Sequence, residues 1–175
     1  TPVQEQCIPA VMDGRDVIGQ SQTGTGKTAA FGLPLLEKLE VLEKRLPQVL
    51  IMTPTRELTL QVTAEMRKFA KYKEGIRVVS IYGGDPITTQ IRDLKGGADI
   101  IVGTPGRIQD HINRRTLKFS SLKALVLDEA DEMLKMGFKE EIEEIIKSLP
   151  TERQTLLFSA TMPKPILDIV NNYQT

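Results

Sequence analysis

Hydrophobic and polar positions form two kinds of segment along the chain. Short, continuous apolar runs rich in Val, Ile and Leu occur at residues 16–20, 49–53, 76–82, 98–102, 124–127 and 155–158. Segments of helical character lie between them, at residues 57–72, 87–95, 107–114 and 138–149. Continuous apolar runs are typical of strands covered on both faces. Strands and helices that alternate through short links predict an α/β fold, a parallel β-sheet with helices on both faces.

The length and composition are those of one soluble globular unit. The 175 residues suffice for one domain with a sizeable core, and no repeat or linker divides them, so residues 1–175 are interpreted as one domain. Lys plus Arg equals Asp plus Glu, 23 of each, so any nucleic-acid site must be a local patch. A single cysteine, no leader and no membrane-length apolar run make a cytoplasmic protein without a membrane partner the expectation.

Three features are expected to be structural or solvent-exposed and to have no chemical role. The apolar residues of segment 138–149 recur on one helical face, which predicts packing against the sheet with the acids outward. Cys7 lies in an apolar stretch and is expected in the core or at its boundary. His111 lies among polar helix residues, so we expect it to face solvent; with one His and one Cys, a zinc site is not credible.

The sequence SQTGTGKT directly follows the first predicted strand and precedes a predicted helix. Glycines let backbone N–H groups close around phosphate oxygens, and the helix N-terminus adds the positive end of its dipole. Lys27 would reach the outer phosphates of a nucleotide, and the Thr28 hydroxyl would coordinate Mg²⁺. The alternative is a glycine-rich turn with an exposed lysine. We predict a nucleotide-binding loop made of Ser21, Gln22, Thr23, Gly24, Thr25, Gly26, Lys27 and Thr28, with Ser21 in place of the usual first glycine.

Three carboxylates, Asp128, Glu129 and Asp131, follow the apolar run 124–127. Carboxylates this close repel one another and are rarely buried without positive partners, and Mg²⁺ bound to a triphosphate would be such a partner. We predict that Asp128 serves this metal together with Thr28, directly or through a water. Glu129 is the candidate general base that orients a water in line with the outermost phosphorus. The alternative is a set of acids at a helix N-terminus, where they favour the helix dipole.

Polar loops follow four further predicted strands, with the sequences PTREL, YGGD, TPGR and SAT. The carboxyl ends of parallel strands share one edge of the sheet, where ligands of open α/β sheets bind. Hydroxyls, approachable backbone N–H groups and arginine charges would suit an extended polyanion held by its backbone. The alternative for each loop alone is an ordinary strand-to-helix turn. The candidate residues are Thr55, Arg56, Gly84, Thr104, Gly106 and Arg107.

Together these motifs resemble one family, the DEAD-box ATP-dependent RNA helicases. The sequence as a whole is similar to the bacterial members of that family. The chain has TPVQ at residues 1–4 followed by Ile8 and Pro9, which resembles the end of the family's Q motif. The phosphate loop, PTREL, the glycine pair, TPGR, DEAD and SAT follow in the family's order. The resemblance spans the whole chain and implies a RecA-like sheet, ATP and Mg²⁺ as cofactors, and RNA as partner.

The resemblance also implies residue roles. Gln4 would recognise the adenine edge and make ATP the nucleotide. Asp131 would connect to Ser159 and Thr161 and couple the nucleotide site to domain closure and unwinding. Lys27, Asp128 and Glu129 would be catalytic, and the six residues of the polar loops would hold RNA phosphates and sugars with little sequence preference.

Two parts of the family pattern are not found in these residues. The aromatic residue that stacks on adenine upstream of the Q motif would precede Thr1. Nothing after the SAT sequence resembles the second RecA-like domain with its arginine fingers. The expectation is therefore an isolated amino-terminal domain, a monomer that binds nucleotide but does not unwind RNA, and whose partner is the second domain of a parent chain.

Two other functions remain open from the residues. The chain could be a binding module that holds nucleotide and RNA with negligible turnover. It could also belong to another class of P-loop ATPase, such as a DNA translocase or a nucleotide kinase. A kinase gains nothing from a base at Glu129, and a DNA translocase shares the phosphate loop without the combination of Gln4, PTREL, TPGR and DEAD.

Overall fold

The computed structural model describes residues 2–20 and 26–174. A parallel sheet of six strands has the order β1-β6-β5-β2-β4-β3. The strands are β1 (Val17–Gln20), β2 (Val49–Met52), β3 (Val78–Ile81), β4 (Ile100–Gly103), β5 (Ala124–Leu127) and β6 (Gln154–Ser159). Each of the six predicted strands is confirmed, with ends that differ by no more than two residues. The predicted α/β class with a parallel sheet is confirmed as well.

Helices follow the strands and cover both faces of the sheet. They are α1 (Pro2–Met12), α2 (Lys27–Glu37), α3 (Arg56–Ala70), α4 (Ile87–Lys95), α5 (Pro105–Asn113), α6 (Ala130–Lys135), α7 (Lys139–Lys147) and α8 (Lys164–Tyr173). The four helices predicted from periodicity are α3, α4, α5 and α7. Helix α2 follows the phosphate loop as predicted, whereas α1, α6 and α8 were not predicted.

Alternate residues of each central strand enter two different hydrophobic layers. Leu50 and Met52 of β2 join one cluster, which contains apolar residues of α5 to α8, and Ile51 joins the other, which contains those of α1 to α3. Strands β2, β4, β5 and β6 are buried at every position, because both of their faces are covered. This double coverage explains the continuous apolar sequences of β2 and β5, and the apolar runs at residues 100–102 of β4 and 156–158 of β6.

Two expectations about structural residues are confirmed, and one is wrong. Cys7 is buried in the layer under α1, and Ile142, Ile145 and Ile146 of α7 are buried as predicted. His111 is fully buried and does not face solvent. It lies three residues after Ile108 on the inward face of α5, and i, i+3 residues share a helix face.

Within the part of the chain that the structure describes, we find no helix long and apolar enough to cross a bilayer.

Candidate functional site

The carboxyl ends of all six strands meet at one edge, and the strand order divides this edge into two halves. The loops after β1, β6 and β5 are the phosphate loop, the SAT sequence and the DEAD sequence. The loops after β2, β4 and β3 are PTREL, TPGR and YGGD. The candidate nucleotide residues therefore lie on one half of the edge, and the candidate RNA residues on the other.

The end of the phosphate loop leads directly into α2. Ser21, Gln22, Thr23, Gly24 and Thr25 of the predicted loop lie outside the described residues. Gly26 precedes the helix with φ 95°, a left-handed conformation that side chains other than glycine rarely adopt. Lys27 and Thr28 form the first turn of α2, and both side chains are largely buried. Their position at a helix N-terminus is the one that phosphate-binding loops use.

The positive partner of the buried carboxylate is Lys27. Its Nζ lies 2.6 Å from Oδ1 of Asp128, whose side chain is 1 % exposed. Burial raises the pKa of Asp128, and the Lys27 ammonium opposes that rise. A buried charge that lost this partner would be strongly destabilising, so the contact ties the start of α2 to the end of β5.

The second oxygen of Asp128 is available for a cation. Among the described residues, its Oδ2 is buried and has no hydrogen-bond partner. A buried carboxylate oxygen and a threonine hydroxyl, such as that of Thr28, are hard oxygen donors that suit Mg²⁺. Within residues 2–20 and 26–174 no group of three or more His, Cys, Asp or Glu side chains could hold a metal alone. The donor types of Asp128 and Thr28 fit Mg²⁺, which is usually bound through one or two carboxylates and keeps several waters.

Glu129 has an unusual backbone conformation for a glutamate. Its φ is 51° and its ψ 53°, in the left-handed region, at the residue that precedes α6. Non-glycine residues in this region are uncommon and cluster at functional sites. Burial raises the pKa of its carboxyl group, Lys27 opposes the rise and Asp128 adds to it. A raised pKa brings a carboxylate closer to the basicity that a general base needs.

Asp131 connects the DEAD sequence to the SAT sequence by direct hydrogen bonds. Its Oδ2 accepts from the backbone N–H of Thr161 at 3.1 Å and from the Thr161 hydroxyl at 2.9 Å. The Asp131 N–H donates to Oγ of Ser159 at 3.2 Å. Burial alone would raise the pKa of Asp131, but its hydrogen bonds, first of all the one from the Thr161 hydroxyl, lower it. The predicted connection therefore exists in the structure, and the predicted coupling role remains a hypothesis.

Gln4 contacts the phosphate loop from α1. Its Nε2 donates to the backbone oxygen of Gly26 at 3.2 Å. The same oxygen accepts the N–H of Ala30 in the first turn of α2. The side chain predicted to recognise adenine thus lies at the end of the phosphate loop.

In the other half of the edge, PTREL starts α3. The Thr55 side chain accepts from the N–H of Leu58 at 3.1 Å and caps the helix. The guanidinium of Arg56 lies over the ring of Tyr82, 5.3 Å from its centroid. A cation–π contact of this kind holds the arginine beside the YGGD loop while leaving it exposed.

TPGR starts α5, and YGGD precedes α4. Thr104 is the residue before α5, and Gly106 in its first turn has open space where a side chain would be. Gly84 has φ 91° and equally open surroundings. Nη1 of Arg107 donates to the backbone oxygen of Asp85 at 2.8 Å and to Oε1 of Gln90 at 3.1 Å. The two loops are thus bonded to each other through Arg107.

Sequence reasoning missed three residues that shape this half of the edge. The Tyr82 ring makes the cation–π contact with Arg56. The Gln90 side chain is hydrogen-bonded to Arg107 and to His111. Only His111 had a sequence signal, its helical spacing from Ile108, which was outweighed by its polar neighbours.

The chain is similar to DEAD-box proteins over nearly its whole length. A family model described as "DEAD/DEAH box helicase" matches residues 1–169. The chain is 59 % identical to the ATP-dependent RNA helicase CshA of Listeria monocytogenes over 95 % of its length, and 53 % identical to the ATP-dependent RNA helicase DeaD of Haemophilus influenzae over 99 %. It covers 32 % and 28 % of these relatives, about a third of their length.

A solved structure has the same fold. The crystal structure of a DEAD box protein from the hyperthermophile Methanococcus jannaschii matches 99 % of this chain with a TM-score of 0.93 and 44 % identity. This chain covers 47 % of that one. The predicted RecA-like arrangement of the sheet is thereby confirmed, and the chain belongs to the DEAD/DEAH box helicase family.

Proposed function

We propose that residues 1–175 form one RecA-like domain, the ATP- and RNA-binding unit of an ATP-dependent RNA helicase. In the proposal, a parent chain couples hydrolysis of Mg-ATP to local opening of an RNA duplex, and a second RecA-like domain closes on this one. The domain alone binds nucleotide and does not unwind. The contact of Lys27 with the buried Asp128 beside Glu129 is the observation that carries the proposal.

The chemistry assigned to the nucleotide half follows from charge. Lys27 would donate to the outer phosphates, and the phosphate loop would supply backbone N–H groups to the others. Mg²⁺, held by Thr28 and Asp128, would neutralise charge on the phosphates. Glu129 would accept a proton from the attacking water, because its carboxylate follows the metal-binding aspartate directly. Gln4 would select adenine, and Asp131 with Ser159 and Thr161 would transmit the state of the nucleotide.

The chemistry assigned to the RNA half is recognition of the backbone. The donors offered by Thr55, Gly84, Thr104 and Gly106 are hydroxyl and N–H groups, and Arg56 and Arg107 add positive charge. Such contacts position a strand without reading its bases. Contacts to sugar 2′-hydroxyls would distinguish RNA from DNA.

Two substitutions test the RNA assignment in a two-domain parent. Arg56→Ala and Arg107→Ala should each weaken binding to a similar degree across RNA sequences. Each should also lower the slope of log affinity against log salt by about 1, because one phosphate contact is lost. Fluorescence anisotropy of several labelled RNA sequences at several salt concentrations gives both quantities. A loss confined to one sequence would indicate base recognition instead.

ATPase assays separate this proposal from other P-loop ATPases. Hydrolysis is measured with RNA or DNA added, on the 175-residue chain and on a two-domain parent. Stimulation of the parent by RNA and not by DNA supports the helicase. Stimulation by DNA of equal size would favour a DNA translocase, and phosphoryl transfer to a nucleotide would favour a kinase. A parent that binds ATP and RNA without turnover would be a binding module.

A further inference from the structure

Two polar side chains beside the candidate RNA loops are completely buried. Gln90 on α4 and His111 on α5 are both 0 % exposed. Gln90 is the one fully buried residue of α4, and the apolar Leu94 of the same helix is only partly buried against the core. Burial of an unpaired amide or imidazole is costly, and such groups are kept where partners satisfy them.

Gln90 uses its full capacity for hydrogen bonds. Its Nε2 donates to the backbone oxygen of Tyr82 at 2.9 Å and to Oδ2 of Asp85 at 3.2 Å. Its Oε1 accepts from Nη1 of Arg107 at 3.1 Å and lies 2.9 Å from Nε2 of His111. An amide has two donors and two acceptor sites, so all four are engaged. If the amide were reversed, its oxygen would face the oxygens of Tyr82 and Asp85, and its N–H groups would face the Arg107 guanidinium. The hydrogen-bond partners therefore fix the orientation of the Gln90 amide.

The orientation of Gln90 determines the tautomer of His111. Because Oε1 can only accept, Nε2 of His111 must carry the proton and donate. Nδ1 lies 2.7 Å from the Thr116 hydroxyl, which donates to it when the ring is neutral. Burial, with the Arg107 charge second, lowers the pKa of His111 and favours that neutral form. The hydrogen bond from His111 Nε2 to Oε1 thus helps to hold the Gln90 amide in this orientation.

Gln90, which His111 holds in place, is bonded to both the YGGD loop and Arg107 of TPGR. Tyr82 and Asp85, which Gln90 bonds, belong to the loop that carries Gly84, and the ring of Tyr82 supports Arg56. The same amide oxygen and the Asp85 carbonyl fix Nη1 of Arg107. Within the described residues, Nε and Nη2 of Arg107 make no hydrogen bond, so the guanidinium is held at one nitrogen and offers the others to a phosphate.

We propose that Gln90 and His111 are positioning residues for RNA: a buried amide–imidazole pair that fixes Arg107 and the loop 82–85 in register, so that both meet one RNA backbone. The inference rests on the proposed RNA-binding function of these loops. It assigns Gln90 and His111 an effect on RNA affinity through Arg107, without contact to RNA, and no effect on nucleotide binding.

The test compares His111→Leu with His111→Gln in the 175-residue chain. Glutamine places an amide N–H where the histidine has Nε2, three bonds from Cβ, and leucine provides none. The probe is a fluorescein-labelled oligouridylate of about ten nucleotides, titrated by anisotropy at low salt. We expect His111→Leu to weaken RNA binding about threefold to tenfold, as for the loss of a coupled contact, and His111→Gln to restore most of it. Binding of a fluorescent ATP analogue, which uses the other half of the edge, should be unchanged in both.

A double-mutant cycle identifies the route of the effect. Arg107→Ala is combined with His111→Leu and, separately, with Gln90→Met. If the pair acts through Arg107, each double variant should bind RNA about as weakly as Arg107→Ala alone, whereas independent losses would multiply. Gln90→Met is interpreted only where it binds the ATP analogue normally; His111→Leu decides the test otherwise.

Two outcomes overturn different claims. If Arg107→Ala weakens RNA binding but His111→Leu does not, or if the losses multiply, the positioning inference is wrong and the RNA assignment stands. If Arg107→Ala leaves RNA binding unchanged, or the unsubstituted 175-residue chain binds no RNA, then the proposed RNA-binding function of these loops and the inference fail together.

Discussion

Lys27 and Glu129 have different environments although both adjoin Asp128. Lys27 is largely buried and pairs with Asp128, while Glu129 is partly exposed in a left-handed backbone conformation. Lys27→Ala should lower affinity for ATP by about tenfold to a hundredfold, because it removes a charge-assisted hydrogen bond to phosphate. Glu129→Gln should keep affinity within about threefold and abolish hydrolysis, because shape and metal binding survive while the base is lost.

Calorimetric titration with a non-hydrolysable ATP analogue measures both variants, and thermal melting shows whether each is folded. Equal loss of affinity in the two variants would contradict this division of roles.

Gln4 offers a test of nucleotide choice. A side-chain amide can pair one donor and one acceptor with the adenine edge, so Gln4→Ala should weaken ATP binding about tenfold while GTP binding stays poor. Competition of ATP and GTP against a fluorescent nucleotide measures the two affinities. Because Gln4 also bonds Gly26, an equal fall in both affinities would show that it acts on the phosphate loop and leaves the base unread.

His111 makes stability depend on pH in a defined direction. Burial, then Arg107, with Arg114 also contributing, lowers its folded-state pKa below the ordinary value, and Asp110 opposes them. Below about pH 6.5 the unfolded chain therefore binds more protons than the folded one, so the stabilisation present above that pH is lost as pH falls through the folded pKa. Urea unfolding of the unsubstituted 175-residue chain and of His111→Gln is measured across this pH range. As the pH falls, the unsubstituted chain should lose more unfolding free energy than His111→Gln does. A pH-independent difference would contradict a buried neutral histidine.

The residues proposed to bind nucleotide could be located from sequence, and the pair proposed to position Arg107 could not. Gly26, Lys27 and Thr28 belong to a local motif whose spacing carries the chemistry. Gln90 and His111 lie on different helices, 21 residues apart, and meet only through tertiary packing. Apart from the helical spacing of His111 from Ile108, nothing in these two helix sequences separates a solvated polar side chain from a buried, fully bonded one.

At the scale of elements, the close approach of β3 and β4 fixes the start of TPGR. A Cβ added to Gly103, the last residue of β4, would lie 2.4 Å from the backbone oxygen of Ile81 and 3.1 Å from Ile108. Gly103→Ala should therefore cost about 1–3 kcal/mol of unfolding free energy, because backbone cannot move aside cheaply. Gly106→Ala is the matched control: its added Cβ meets nothing within 4 Å, and alanine favours the helix, so stability should change by less than about 1 kcal/mol. Urea midpoints of the two variants provide the comparison, and equal midpoints would show that β4 can shift away from β3.

At the scale of the whole molecule, the sheet order separates the loops proposed to bind nucleotide from the loops proposed to bind RNA. The apolar runs allowed all six strands to be located. In β2, β4, β5 and β6 burial on both faces explains this local signature, whereas β1 alternates between half-buried and exposed positions. Their order is set by pairings between distant segments, such as β1 with β6, whose partners Val17 and Leu156 are 139 residues apart. The parallel edge was therefore predictable from sequence, whereas its division into two halves was not.

The separation has a functional consequence for the isolated chain. The described residues form a six-stranded sheet with helices on both faces, and the chain spans about a third of the length of its relatives. By the proposal, unwinding needs a second domain that closes on the edge and supplies arginine fingers, groups worth roughly 10³–10⁵ in turnover among nucleotide hydrolases. The chain should therefore fold and bind ATP, hydrolyse it very slowly, and respond little to RNA.

The most direct test of this account is RNA-stimulated ATPase and duplex unwinding by the 175-residue chain, beside a two-domain parent and with ATP-analogue binding measured on the same preparations. We expect nucleotide binding by both proteins, with RNA-stimulated hydrolysis and unwinding by the parent alone. Robust unwinding or RNA-stimulated hydrolysis by the 175-residue chain, abolished by Glu129→Gln and so not due to a contaminating helicase, would contradict it.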